Sequence, residues 1–495
     1  MNKFFYVVLV LFVMSACNTQ KKFNSIEEKA AYIHDKALTV DSHTDTPLWF
    51  SSKDFDFAKN NKEIRRSKVD IPRMEEGGLD AIWLAAFLGQ GERNPEANLK
   101  AKENAEIIIK DIYEVAKANP DKVGIALTPE DGYKLEKEGK RAFYIGIENG
   151  YPIGTDIMLV KQFYDMGARY ITLSHTRNND ICDSSTDEEE HGGLSEFGKE
   201  VIAEMNDLGM MIDVSHISDK SFYDVIELTN APVIASHSNA RAICDSPRNL
   251  TDEMLVKLAE NGGVIQMCIL SAYLKEQVPN PQRDSAYAAL RIKFKDFENF
   301  SDKKKEAARK EWYAVDDKYP SDRANVNDVV DHIDHIKNLI GVDHIGIGSD
   351  FDGGGGIEGC NDVSEMGNIT LELVKRGYTE EEIIKIWGGN FQRVFKEVME
   401  NKLKKNKDLC TLVGNAMKTL IPCVQDVTDP IVEEMADLGL IENVIEVLKG
   451  CNDGPVRKNT AIVLARLCRH PQLNTKIRAL RGVEILMTLG KELNV

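Results

Sequence analysis

The sequence predicts a (β/α)8, TIM-like barrel followed by a small all-α tail. Three observations point there. Eight short apolar runs recur at a regular beat, at residues 38–43, 81–88, 142–148, 170–175, 210–216, 232–237, 263–268 and 344–350, bounded by turn-forming residues. Amphipathic helical patterns separate most of them, which favours a parallel sheet wound with helices. Six of the eight runs end in a histidine or an acid: His43, Glu148, His175, His216, His237 and Asp350. In a parallel barrel the strand C-termini share one mouth, and that mouth is where chemistry sits.

The chain opens on a targeting segment. Lys3 supplies a positive start, residues 4–14 are apolar but short for a bilayer span, and Met14-Ser15-Ala16-Cys17 places small residues before a cysteine. This stretch resembles a bacterial lipobox, which implies cleavage before Cys17, lipidation of its thiol and a place in the cell envelope, facing the periplasm or exterior. Residues 18–25 are a polar tether. Helices are expected at 26–37, 98–118, 156–167, 195–208, 219–228, 251–260 and 326–340. Thr251 is a plausible N-cap with Asp252 and Glu253 in the first turn. Thr379 with Glu382 makes a capping box for a last barrel helix, 379–402, expected to cover the eighth and first strands. Between the seventh and eighth strands lies a charged insertion, 274–323, helical at 302–312.

Composition narrows the function. The net charge of −18 argues against a nucleic-acid partner, whose phosphates need a basic face. No strand is followed by GxGxxG or by a Walker lysine, and the glycine run 353–356 lacks the Lys and Ser/Thr of a phosphate loop. Cys182, Cys244, Cys268 and Cys360 have no CxxC spacing, and an oxidising compartment would let them pair.

The strand ends supply a ligand set. His43 and Asp45 are two residues apart, so on a strand they face the same way. Imidazole and carboxylate donors suit zinc and similar ions. A lone histidine at a strand end is more often a packed, hydrogen-bonded residue than a ligand; the whole set reverses that reading. His43, Asp45, Glu148, His216 and His237 suffice for two metals if Glu148 bridges, and a metal pair can share a hydroxide and polarise a carbonyl. His332, His335 and His344 read as structural or surface residues, and His34, His191 and His470 stand apart from the set.

The motifs VDSHTDTP (40–47), GIENG (146–150), YITLSHTRN (170–178), IDVSHIS (212–218), APVIASHSNAR (231–241), SPRNL (246–250) and IGIGSDFDG (345–353) resemble the membrane (renal) dipeptidase family of zinc peptidases, over residues 26–402. The resemblance implies a metal-dependent hydrolase barrel with two zinc ions acting on dipeptides. It implies His43 and Asp45 on one zinc, His216 and His237 on the other, and Glu148 between them. By the same carry-over His175 touches the substrate and stabilises the oxyanion, Arg248 pairs with the substrate carboxylate, and Asp350 shuttles a proton to the leaving amine. Relatives suggest a homodimer. The chain departs from the pattern at Arg177, where animal members carry a disulfide cysteine, at Ser349, where glycine is frequent, and at Asn149, where glycine is common.

Residues 404–495 read differently. They are Leu/Val/Ala-rich, hold Cys410, Cys423, Cys451 and Cys468, and resemble armadillo-type helical repeats at 439–450, 456–469 and 474–489. They are expected either to pack as an appendage or to bind a protein partner. Two further readings stay open: a related amidohydrolase acting on a β-lactam, lactone or cyclic amide, and a non-catalytic interaction protein. Arg248 discriminates the first, because a dipeptide brings a free carboxylate.

Overall fold

The computed structural model describes residues 21–63, 67–295, 300–320, 322–424, 432, 439–450 and 454–492. The leader and Cys17 lie outside the described residues. No described helix is long and apolar enough to cross a membrane.

Nine parallel strands form the sheet: β1 (Val40–Thr44), β2 (Ala81–Phe87), β3 (Val123–Ile125), β4 (Arg141–Glu148), β5 (Ala168–Thr172), β6 (Met211–Asp213), β7 (Ile234–Ser238), β8 (Val264–Met267) and β9 (Ile345–Ile347). The order is β1-β2-β4-β5-β6-β7-β8-β9, with β3 paired to β4 outside this path. The ring closes just beyond β9, where the Asp350 amide donates to the His43 carbonyl at 3.0 Å and the Asp45 amide to the Phe351 carbonyl at 2.9 Å. The eight-strand barrel expected from the sequence is therefore present. β3 was not foreseen: it has only three residues and follows the charged Asp121-Lys122 pair, so it carries no periodic signal.

The strands are shorter than the apolar runs. β5, β6 and β9 stop at Thr172, Asp213 and Ile347, so His175, His216 and Asp350 stand on the loops that follow. The cause is local. His216 has φ 72° and Asp350 φ 57°, left-handed values that end a strand. Register shifts in the β1–β2 pair between Asp41 and Thr44, and in the β7–β8 pair between Ala235 and Ser238, fall at His43 and His237. Such irregularities re-aim a side chain at a barrel rim.

Helices wrap the sheet, and the expected caps form. The Thr251 side chain accepts from the Met254 amide, and Thr379 with Glu382 makes the capping box. The last barrel helix differs from its expected span. It passes through a π turn at Lys385–Gly389 and then runs unbroken from Asn390 to Cys423. Phe391 and Phe395 stack edge-on against Trp83, 5.3 and 5.4 Å between ring centroids, and Phe395 meets Tyr144 at 5.9 Å. These aromatic rings pack with Leu38, Ala81, Ala142 and Val264 at the N-terminal ends of the strands. Phe391 and Phe395 therefore stopper the closed end of the barrel, opposite the mouth, while the π turn packs on β1 and β9, the first and last barrel strands, and Asn390 donates to the Ile345 carbonyl. The insertion forms a hairpin of Pro281–Lys293 and Asp302–Lys318 with a small core of its own around Leu290, Phe294 and Ala308. The Arg309 guanidinium lies over the Trp49 ring at 5.9 Å, which brings the hairpin to the loop after β1.

The C-terminal region is helical, with Leu440–Gly450, Gly454–Leu467, Pro471–Ala479 and Gly482–Glu492. Its core gathers Met417, Ile441, Val444, Ile445, Leu448, Val463, Leu464, Leu467 and Ile477. The stretch 474–489 spans parts of two helices, separated where Arg481 adopts φ 62°. Cys182, Cys244, Cys268, Cys360 and Cys468 are free thiols, so the pairing allowed by the sequence is absent among these residues.

Candidate metal centre

Glu148 ends β4 and is 2% exposed. Its Oε2 lies 3.2 Å from His43 Nε2, and its Oε1 lies 3.1 Å from His216 Nε2, 3.5 Å from His237 Nε2 and 3.7 Å from His175 Nε2. Asp45 Oδ1 completes the first side at 3.9 Å from His43 Nε2. The two sides are joined by ring contact, since His43 and His237 stack with centroids 3.9 Å apart. The residues read from the sequence as a ligand set are thus brought together around one carboxylate. Three overlapping groups could each hold an ion: His43, Glu148 and His237; Glu148, His175 and His216; His43, Asp45 and Asp350.

The residues fit a metal cluster. His43 Nε2, Asp45 Oδ1 and Glu148 Oε2 are buried polar atoms with no hydrogen-bond partner. Leaving such atoms unsatisfied costs about 1–3 kcal/mol each, and a cation coordinated by all of them removes that cost. Burial pushes the Glu148 carboxyl up to about 8, and burial together with the Glu148 charge raises Asp45 well above its ordinary range. Burial, then the Arg248 charge, holds His216 well below its ordinary range; burial and His43 do the same for His237. Both imidazoles are therefore neutral near pH 7, the form that ligates a metal.

Around this cluster sit the groups expected to meet substrate. His175 is partly exposed, lies edge-on to Phe87 at 4.7 Å, and is lowered to about 3 by burial and by Arg248. Arg248 is 4% exposed, donates to the His237 carbonyl at 3.1 Å, and lies over the Tyr273 ring at 5.2 Å. Its Nε has no partner. Asp350 is raised well above its ordinary range by burial and by the Asp45 charge. A Cβ at Gly353 would lie 2.3 Å from an oxygen of each of these two carboxylates, so only glycine lets that loop lie against them. Asn149, beside the bridging glutamate, has φ 70°; its amide donates to the Leu88 carbonyl, and its oxygen accepts from Asn179 and Tyr151. Asparagine tolerates this left-handed conformation, so glycine is not required there.

Several anchors were missed in the sequence. Tyr170 OH lies 3.0 Å from His43 Nδ1 and donates to the Ser42 carbonyl. Asp213 accepts from the Ser215 and Ser236 amides and from the Thr172 and Ser236 hydroxyls. Asp41 accepts from the His43 amide and from Ser349. The available signal was an aspartate shortly before a ligand histidine in both VDSH and IDVSH. The other histidines are structural as expected: His332 meets the Ala240 amide and Leu274 carbonyl, His335 meets Asp252, and His344 meets the Gly263 carbonyl.

Comparison with known proteins gives the family. The family described as membrane dipeptidase (peptidase family M19) matches residues 27–408. Dipeptidase 3 of Mus musculus is 31% identical over 388 residues, covering 76% of this chain and 68% of the relative. Dipeptidase tcpJ of Claviceps purpurea (strain 20.1) is 29% identical over 364 residues, covering 72% and 73%. The crystal structure of the probable dipeptidase PvdM from Pseudomonas aeruginosa is 32% identical with a TM-score of 0.66, covering 76% of this chain and 99% of that one. With a buried carboxylate ringed by four histidines at the mouth of a parallel barrel, the chain belongs to the membrane dipeptidase family M19, a family of metal-dependent dipeptidases.

Proposed function

We propose that the chain splits the peptide bond of small dipeptides using two zinc ions, one held by His43 and Asp45, the other by His216 and His237, with Glu148 shared between them. The observation that carries this reading is the two-sided Glu148 carboxylate, one oxygen toward His43 and the other toward His216. When bound, the ions supply an activated water and polarise the scissile carbonyl. The remaining work falls to the protein. Arg248 has spent only part of its five donors on His237 and Ser238, so its free edge receives the substrate carboxylate. His175, neutral and at the rim of the cluster, donates to the oxygen that gains charge. Asp350, whose burial raises its affinity for a proton, takes as a carboxylate the proton released at attack and returns it to the leaving amine.

The buried guanidinium favours a dipeptide over a lactam or lactone lacking a carboxylate at that distance. The test is metal analysis beside a dipeptide panel: about two zinc ions per chain and loss of turnover on chelation support the reading, and active protein with one ion or none overturns it. For location we infer a lipid-anchored envelope enzyme, supported by the Ser15-Ala16-Cys17 sequence. A Cys17→Ala chain that still fractionates with membrane would refute this. The armadillo likeness of the tail supports a protein-binding role, and self-association as a dimer is checked by sedimentation.

A further inference from the structure

Asp213 ends β6 and is fully buried, and its hydrogen bonds run into the loop after β6 and into β7, which carry His216 and His237. Its Oδ1 accepts the amides of Ser215 at 3.0 Å and Ser236 at 2.8 Å. Its Oδ2 accepts the hydroxyls of Thr172 at 2.5 Å and Ser236 at 2.6 Å. The Ser236 oxygen is in turn 2.8 Å from His237 Nδ1. An ionised carboxylate has only acceptors. Ser236 must therefore spend its one proton on Asp213, and its oxygen can only accept from His237. His237 then carries its proton on Nδ1, and Nε2 presents a lone pair into the centre, 2.8 Å from His216 Nε2, which donates to it in the absence of metal, and 3.5 Å from Glu148 Oε1.

We propose that Asp213 is a positioning residue that acts through Ser236 to hold His237 as the Nδ1–H tautomer, keeping Nε2 open to a metal. This rests on the metal-centre reading above, but the tautomer exists without metal and can be read without it. The opposite histidine is held by a different device, the neutral Tyr170 phenol, so the two sides of the centre are fixed by different chemistry. Asp213→Asn makes the logic visible. The asparagine oxygen would keep the two amides, and its NH2 would face Thr172 and Ser236. Ser236 would then accept from the amide and donate to His237 Nδ1, forcing the proton onto Nε2 and closing the ligand atom. Removing the serine hydroxyl as well frees the ring to turn its tautomer back.

The experiment is nitrogen-15 histidine spectroscopy on the chelator-stripped full chain, with the His237 signal assigned by its loss in His237→Gln, beside zinc titration of each variant. The wild-type chain should show Nδ1–H at His237. Asp213→Asn should show Nε2–H and bind its weaker zinc about 10- to 100-fold less well, the usual scale for a lost ligand anchor. Asp213→Asn/Ser236→Ala should recover to within about threefold of Ser236→Ala alone, a rescue that a purely structural role for Asp213 would not give. An Nε2–H signal in the wild-type chain overturns the proposal, as does a double variant as weak as the single. If Asp213→Asn does not fold, Ser236→Ala decides: an Nδ1–H signal as strong as in wild type overturns the relay, and a mixed tautomer supports it. A chain that splits no dipeptide but shows these tautomers leaves the relay standing and removes only the activity reading.

Discussion

Ser349 gives both its amide and its hydroxyl to the Asp41 carboxylate, at 2.7 and 2.5 Å. Asp41 lies in β1 and Ser349 two residues past β9, so this pair stitches the first strand to the last where the barrel closes. His43 follows Asp41 by two residues, and Asp350 follows Ser349 directly. Glycine at position 349 would lack this hydroxyl, which is half of the bond that seats the loop carrying Asp350. Burial pushes Asp41 up to about 6, and the Ser349 bonds pull it back. Ser349→Ala should therefore destabilise the chain by about 1–3 kcal/mol, the cost of a buried carboxylate losing a donor. Thermal melts of both chains check this, and turnover should fall with them because Asp350 loses its tether.

Metal removal should leave a characteristic dependence on pH. Without a cation, Glu148 sits at about 8 and Asp45 is raised as well. The folded chain then binds protons that the unfolded chain releases. The stability this contributes is full at low pH and is lost as pH rises through about 8. His216 and His237 are depressed, so they act in the opposite direction, but only below their ordinary value of about 6.5. Between about pH 7 and 8.5 the acids alone set the slope. The melting temperature of chelated protein should fall across that interval, and zinc-loaded protein should be flatter. A rise in the chelated form would show that the carboxylates are already satisfied without metal.

Arg248→Lys keeps the charge but loses the planar fork that reaches past its bonds to His237 and Ser238. Its kcat/KM on a dipeptide should fall by about 2–5 kcal/mol, the usual scale for disrupting a buried charge pair. On the corresponding dipeptide amide, which has no carboxylate, wild-type and variant rates should nearly coincide. An equal loss on both substrates would place Arg248 in the packing around His237 rather than against substrate.

The helix Asn390–Cys423 carries both cores, since Phe391, Val394, Phe395 and Val398 belong to the barrel and Met417 to the C-terminal cluster. A chain ending after residue 408 keeps the barrel contacts of Phe391, Val394, Phe395 and Val398 and should retain turnover and the melting temperature of the barrel. Ending it before Phe391 should abolish folding, because Trp83 and Tyr144 lose the rings that cover them. Paired kinetics and melts of the two truncations decide this, and loss of turnover in the longer one would tie the C-terminal helices to the site.

The sequence by itself determined the barrel and the histidines and acids gathered at its mouth. Apolar runs and turn residues are local signals, and a histidine or acid at the end of a parallel strand must face the mouth, so His43, Glu148, His237 and their partners were legible from position alone. Tertiary structure decided what holds them. Asp213 and Asp41 act through partners tens to hundreds of residues away, Ser236 and Ser349, and no spacing in one chain encodes that neighbour. The left-handed residues His216 and Asp350, past the ends of β6 and β9, likewise carry no glycine that would announce them in the sequence. The stoppering of the barrel by Phe391 and Phe395 has the same origin: an amphipathic helix announces an apolar face, and only the closed sheet determines which hole that face fills.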